Sequence, residues 1–210
     1  MTTAAPARVR GVITLVVATV GFAVALALRE QVDPWRSTAA AAMTSIVLSA
    51  WTLGPRLRGL CVITPRGALA AAALGVALVA ATHGGFQLIQ IASPELAVAV
   101  RRLYASVDQG ASRLPLAALT TLIVLGEELV WRGVAIDVVR GHRVKLEIGG
   151  ISVALYVLPQ LPGHVPVLIV AATVLGSVFA AQRLVTGRLT DSLVTHAIWS
   201  VAVFVVFPVS

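Results

Sequence analysis

Apolar positions along this chain come in long blocks separated by short charged stretches, without the period-2 alternation of a half-buried strand. The blocks cover about 11–28, 38–54, 67–82, 114–139, 147–161, 165–182 and 191–208. A helix that crosses a bilayer needs about 20 mostly apolar residues. Each block therefore predicts one crossing, and the chain predicts an all-α polytopic transmembrane bundle of about seven helices. The fifth block is short and ends in the break Pro159-Gln160-Leu161-Pro162-Gly163. The longest connection, 83–113, carries Pro94, Glu95 and the Arg101-Arg102 pair and predicts an interfacial or re-entrant piece on the outer face. Ala39–Ala42 and Ala70–Ala73 suit close helix approach in lipid. Neither an internal repeat nor a linker divides the chain, so 1–210 reads as a single membrane domain. Ala25-Leu26-Ala27 has the look of a signal-peptidase site, but the apolar core before it is long and no polar segment precedes it. The first block is expected to be retained as a helix.

Composition agrees with this pattern. Hydrophobic residues make up 58% of the chain and charged residues only 12%, against about 25% charged in soluble domains. That excludes a soluble globular enzyme, a disordered chain and a disulfide-stapled scaffold. The net charge of +7 rests almost entirely on arginine, with Lys145 the single lysine. No basic cluster is interleaved with stacking aromatics, so no nucleic-acid partner is expected. Placed instead in loops, the charge sets topology. With the N-terminus inside, Arg8, Arg10, Arg56, Arg58, Arg66, Arg140, Arg143, Lys145, Arg183 and Arg188 all fall on the cytoplasmic side. Arg29, Arg36, Arg101, Arg102 and Arg113 fall outside, partly offset by Glu30, Asp33, Glu95 and Asp108. Positive-inside counting thus predicts a multi-pass membrane protein with its N-terminus cytoplasmic and its C-terminus outside, and a bacterial plasma membrane is its expected location. The lone Cys61 excludes an intramolecular disulfide and a cysteine-based zinc site.

Three charges lie where lipid should be. Glu127, Glu128 and Arg132 sit inside the fourth block, at a cost of about 2.5–3.5 kcal/mol each on insertion scales. Glu128 and Arg132 are i and i+4 on one helix face, and the plain reading is a structural ion pair. That reading leaves Glu127 over, about 100° away from Glu128. A carboxylate without its own cation in a water-poor pocket is a candidate general base for activating water. The last block adds Thr195, His196 and Ser200, with His196 and Ser200 again i and i+4. A histidine a turn and a half inside an apolar helix, in a chain that already buries carboxylates, is a second candidate for chemistry.

Taken together these segments resemble the CPBP family of intramembrane proteases (CAAX-prenyl protease 2 and bacteriocin-processing, or ABI). That family carries Glu-Glu-x-x-x-Arg, then Phe-x-x-x-His, then His-x-x-x-Asn or Asp, on separate helices. The first is intact as Glu127-Glu128-Leu129-Val130-Trp131-Arg132, followed by Gly133. The stretch Ser152 to Leu161 fits the family's Ser-x-x-x-Phe-Gly-x-x-His-Leu with Tyr156 for Phe and Gln160 for His. The approach Thr186-Gly187-Arg188-Leu189 leads to His196, with Ser200 in place of Asn or Asp. The resemblance covers about 114–208, which would be the protease core.

What the resemblance implies is an endopeptidase that cuts a membrane-associated peptide or protein, prenylated or bacteriocin-like by the family's name. Glu127 would be the base, and His196 the oxyanion donor or a second holder of the water. Glu128 with Arg132 would shape the site or grip the substrate. Tyr156, Gln160 and Ser200 would line it. Gln160 has no titratable proton and is a poor metal ligand. His164, four residues on, would have to reach across the Pro162-Gly163 break to replace it. The family's link to metalloproteases implies at most a divalent ion such as zinc. There is no His-Glu-x-x-His, and Glu127, Glu128 and His196 supply three ligands only if Arg132 releases its carboxylate. The residues favour a glutamate-activated water without metal. His83 and His142 fall in or beside loops and are expected to be solvated. The alternatives are a pseudoprotease that keeps the cavity and binds without cutting, and a small proton-coupled transporter working through Glu127. Too few polar residues lie at membrane depth for a transport route, and Ser200 lacks the turn of a serine nucleophile.

Overall fold

The structure, a computed structural model, describes residues 4–107, 112–141 and 143–209. Asp108 and His142 lie outside these residues. Every element is helical: α1 Ala4–Ala27, α2 Pro34–Leu53, α3 Arg56–Leu60, α4 Pro65–Ala92 and α5 Pro94–Val107. Then come α6 Arg113–Val139, α7 Lys145–Val157, a 3-10 turn Leu158–Gly163, α8 Pro166–Thr186 and α9 Leu189–Val206. The helix starts are written locally. Asp33 caps α2 by accepting from the amides of Trp35 and Arg36, Thr64 caps α4 through the amide of Gly67, and proline opens α2, α4 and α8.

Among the described residues, α1, α4, α6, α8 and α9 are long and apolar enough to cross a membrane. With the expected polytopic bundle in place, this is an integral membrane protein. The other two expected crossings differ from these five. Helix α2 is 20 residues long but carries Ser37, Thr38, Thr44, Ser45, Ser49 and Thr52. Helix α7 has 13 residues before the 3-10 turn takes over at Leu158-Pro159. Helix α4 runs to Ala92, well past the expected end at 82, because no proline or charge interrupts it before Pro94. This places His83 within a helix, half-buried, with its Nε2 buried and unpartnered, and corrects the expectation of a solvated loop histidine. The connection after it forms the amphipathic α5, whose Ala97 and Val100 are buried while Glu95, Arg101 and Arg102 stay exposed.

In lipid, where tails are as apolar as leucine, helices associate through close packing and interhelical hydrogen bonds. Helix α6 is the centre of that packing, in contact with α2, α7, α8 and α9. Its crossing with α2 depends on Gly126, because a Cβ there would lie 2.8 Å from the Cα and carbonyl oxygen of Ala42. Polar pins join the other pairs. Thr14 and Thr52 hydroxyls meet at 2.8 Å between α1 and α2, and Thr195 donates to the carbonyl of Ala71 at 3.0 Å between α9 and α4. Ser152 of α7 donates to the carbonyl of Trp131 at 2.7 Å. One hydrophobic cluster surrounds Trp131 and Phe22, and a second surrounds Phe179 and Trp199. The polar groups described next lie between the two.

Candidate active site

Helix α6 changes its winding where its charges begin. It is α-helical from Arg113 to Glu127, π-helical from Glu128 to Ala135 and α-helical again to Val139. Wider turns of this kind are rare and concentrate at functional sites. The π segment begins directly after Glu127, and both carboxylates reach the same neighbour. All eight residues of the π segment are buried.

That neighbour is His196, two turns into α9 and about 10 Å from its start at 1.5 Å per residue. Its Nδ1 lies 3.0 Å from Glu128 Oε1, and its Nε2 lies 3.7 Å from Glu127 Oε2. The imidazole is thus held between the two glutamates, one at each ring nitrogen. Tyr156 of α7 donates its hydroxyl to Glu127 Oε2 at 3.2 Å. Phe179 of α8 stacks on the imidazole with ring centroids 4.3 Å apart and planes 22° from parallel. The bonds to Glu128 and the stacked ring fix the imidazole in position and orientation.

Arg132 closes the cluster from behind. Its Nη1 is 3.4 Å from Glu128 Oε1, and its Nη2 donates to the carbonyl of Gly176 at 3.3 Å. The guanidinium lies 4.3 Å from the Tyr156 ring centroid and 5.3 Å from that of Phe179. Arg132 and Glu128 are fully buried, whereas the Glu127 side chain keeps 12% of its surface exposed. Of the two carboxylates, Glu127 is the more accessible.

Of the residues singled out in the sequence, Glu127, Glu128, Arg132, Tyr156 and His196 meet. Gln160 does not join them by a hydrogen bond among the described residues. It is half-buried in the 3-10 turn, which packs on α1 and is tied there by the Arg29 guanidinium donating to the carbonyl of Gly163. Ser200 is buried one turn beyond His196, again with no hydrogen bond to the cluster among the described residues. His164 is exposed in a left-handed conformation, φ 51°. Phe179 and Gly176 escaped notice in the sequence, where both look like ordinary residues of an apolar helix. The glycine is required by space: a Cβ on it would come 2.8 Å from Tyr156 Cδ1 and 3.4 Å from Arg132 Nη2. Gly176→Val is therefore expected to push Tyr156 off Glu127 and to destabilise the fold by about 1–3 kcal/mol, as overpacking does. A thermal unfolding scan in detergent, with loss of activity in the remaining folded protein, checks this.

A zinc ion does not fit these donors. Glu128 faces Nδ1 of His196 and Glu127 faces Nε2, so one ion cannot take both carboxylates and the imidazole. Catalytic zinc uses three protein ligands. Among the described residues, no group of three or more His, Cys, Asp or Glu side chains is arranged to hold a metal.

Beyond the cluster, toward the other end of the bundle, lies an apolar cavity of about 320 Å³ between α4, α5, α8 and α9. Trp199 forms part of its wall, with its indole N–H donated to the Thr82 hydroxyl at 2.9 Å and its ring 6.3 Å from that of His196.

Fold and site define a helical integral membrane protein whose core holds an acid–imidazole–guanidinium cluster. Residues 110–202 match the family model described as Rce1-like, type II CAAX prenyl endopeptidase Rce1-like. The match bears out the resemblance to the CPBP family and, at family level, supports an intramembrane endopeptidase of the CAAX-protease type. The matched segment contains all five residues of the cluster, and α1 to α5 lie outside it. No curated protein and no solved structure matches the chain.

Proposed function

We propose that the protein is an intramembrane endopeptidase in which Glu127 activates the attacking water and His196 stabilises the oxyanion. The observation that carries this reading is the 3.7 Å separation of Glu127 Oε2 from His196 Nε2, at the most accessible carboxylate of the cluster. A base and a hydrogen-bond donor side by side can serve one reacting carbonyl. In this reading the ring carries a proton on each nitrogen, Nδ1–H donating to Glu128 and Nε2–H facing Glu127 and the substrate. The charges of Glu127, Glu128, Arg132 and His196 then cancel, which lowers the cost of holding them in the bundle.

In the reaction, Glu127 takes a proton from water as the water oxygen attacks the scissile carbonyl. The oxyanion is held by Nε2–H of His196. Collapse expels the amine, which recovers the proton from Glu127. Tyr156 orients Glu127. Arg132, buried and occupied by Glu128 and the Gly176 carbonyl, serves to position the cluster and does not grip the substrate. The substrate is a membrane-associated peptide or protein, and the apolar cavity beside Trp199 would receive an apolar part of it. The Arg-rich end, at the start of α1 and the ends of α6 and α8, is the cytoplasmic one by positive-inside counting, and His196 lies nearer to it.

Gln160 favours a second reading, a pseudoprotease that binds a peptide without cutting it. Cleavage of fluorogenic lipidated and unlipidated peptides by the protein in liposomes separates the two. If it is a protease, the wild type cuts and Gln160→His changes the rate by less than about tenfold, because Gln160 makes no hydrogen bond to the cluster among the described residues. A silent wild type with an active Gln160→His variant establishes the pseudoprotease.

A further inference from the structure

At the Arg-rich end of the bundle, the first turns of α1, the α2–α3 junction and the α6–α7 connection border an open trough of about 710 Å³. Arg8, Arg56, Arg143, Asp137 and Glu147 line it. A second recess of about 370 Å³ shares Ala7 and Arg56 with it and adds Arg10 and Trp51. Neither touches the acid–imidazole cluster. We propose that this trough binds the phosphodiester headgroup of an anionic phospholipid.

Four arginines face two carboxylates here. Asp137 is held by Arg56 at 2.7 Å, and the same guanidinium donates to the carbonyl of Thr52 at 3.4 Å. Arg10 lies over the Trp51 ring at 5.4 Å, and Arg143 donates one amino group to the carbonyl of Val139 at 3.0 Å. Arg8 is exposed and makes no ion pair or hydrogen bond among the described residues. Glu147 is also exposed, at the rim. The excess of cations selects a net negative headgroup, and guanidinium matches phosphate oxygens in its fixed fork geometry.

The surroundings indicate a lipid and not a free phosphate. Val12 and Val16 follow Arg8 at i+4 and i+8 on α1, so they lie on the same face. They are 46% and 57% exposed and lead from the trough straight along the hydrocarbon-facing side of the helix. Trp51, 49% exposed beside Arg10, has the character of an interfacial aromatic anchor. The headgroup would occupy the trough and an acyl chain the Val12–Val16 face. Basic pockets between membrane helices on the cytoplasmic side bind anionic headgroups on the same principle.

The test is native mass spectrometry of the full-length protein purified in mild detergent, with phosphatidylglycerol, phosphatidylethanolamine or phosphatidylcholine of matched chains added. Wild type is expected to retain phosphatidylglycerol over the other two, less so as salt rises, because these charges are near solvent and screened. The double variant Arg8→Gln with Arg143→Gln removes two exposed side chains and is expected to cut retention by about fivefold or more. Arg101→Gln with Arg102→Gln, on α5, is expected to leave it unchanged. The proposal is overturned if the Arg8/Arg143 variant retains the lipid as wild type does, or if the α5 variant loses as much. Equal retention of the zwitterionic lipids overturns it too. So does displacement of the lipid by glycerol phosphate at equal concentration, which would mark a phosphate site.

Discussion

Glu127→Gln is expected to lower peptide cleavage by about 10²–10⁴ while leaving the protein folded, the usual cost of losing a positioned acid–base group. The amide keeps the size of the side chain and can still accept from the Tyr156 hydroxyl, so the 3.2 Å contact survives the change. What it loses is the ability to take a proton from water. Stability should change little, because Glu127 is the partly exposed member of the cluster and Arg132 pairs with Glu128 instead. Rates in proteoliposomes and unfolding curves in detergent, measured on the same preparation, separate the two effects. A Glu127→Gln enzyme that cuts like wild type removes Glu127 from the mechanism. Tyr156→Phe provides the graded comparison, since it removes only the hydrogen bond that orients the carboxylate and is expected to cost less than the amide substitution.

Arg132→Met should have the largest effect on stability, about 3–5 kcal/mol, the range for breaking a buried ion pair by removing one partner. The number follows from what stays behind. Glu128 is fully buried and its Oε2 has no hydrogen-bond partner among the described residues, so without Arg132 its charge is left to His196 and the Ser192 hydroxyl. The methionine fills much of the space between Tyr156 and Phe179, so cavity formation is a minor part of the loss. Adding Glu128→Gln to Arg132→Met is expected to restore much of the stability but none of the activity. The pair's value then lies in positioning His196 more than in holding the fold, because desolvating two charges largely offsets their attraction. Thermal unfolding of the three proteins measures this, and a loss below about 1 kcal/mol for Arg132→Met would show that Glu128 finds another partner.

Both predictions depend on how a few side chains from four helices meet, and the sequence shows only part of that. The spacing of Glu128 and Arg132 declares their pairing, since one turn of an α-helix brings i and i+4 together. The same logic placed Glu127 on a separate face with nothing to bind. It has two partners, Tyr156 and His196, because α7 and α9 approach this part of α6 from different sides. Gln160 shows another limit of local spacing. Its place in the resemblance to a second motif predicts a site residue, but Pro159 and Pro162 draw it into a 3-10 turn that packs on α1. Tyr156, four residues earlier on the regular part of α7, hydrogen-bonds to the cluster.

What the sequence determines by itself is local or additive. Blocks of apolar residues make membrane helices, because a backbone in lipid must satisfy its own hydrogen bonds and the side chains must match the solvent. Caps and prolines mark where helices start, and charges too costly to bury by chance mark where chemistry is to be sought. Distances between helices follow a different rule. They depend on which residues are small enough to let two backbones approach, as Gly126 does against Ala42 and Gly176 does against Tyr156 and Arg132. Such a glycine looks the same in the sequence whether it faces lipid or a neighbouring helix. The stacking of Phe179 on His196, the reach of Tyr156 to Glu127 and the trough around Arg8 were therefore decided by tertiary packing alone, since each joins residues that no local spacing relates.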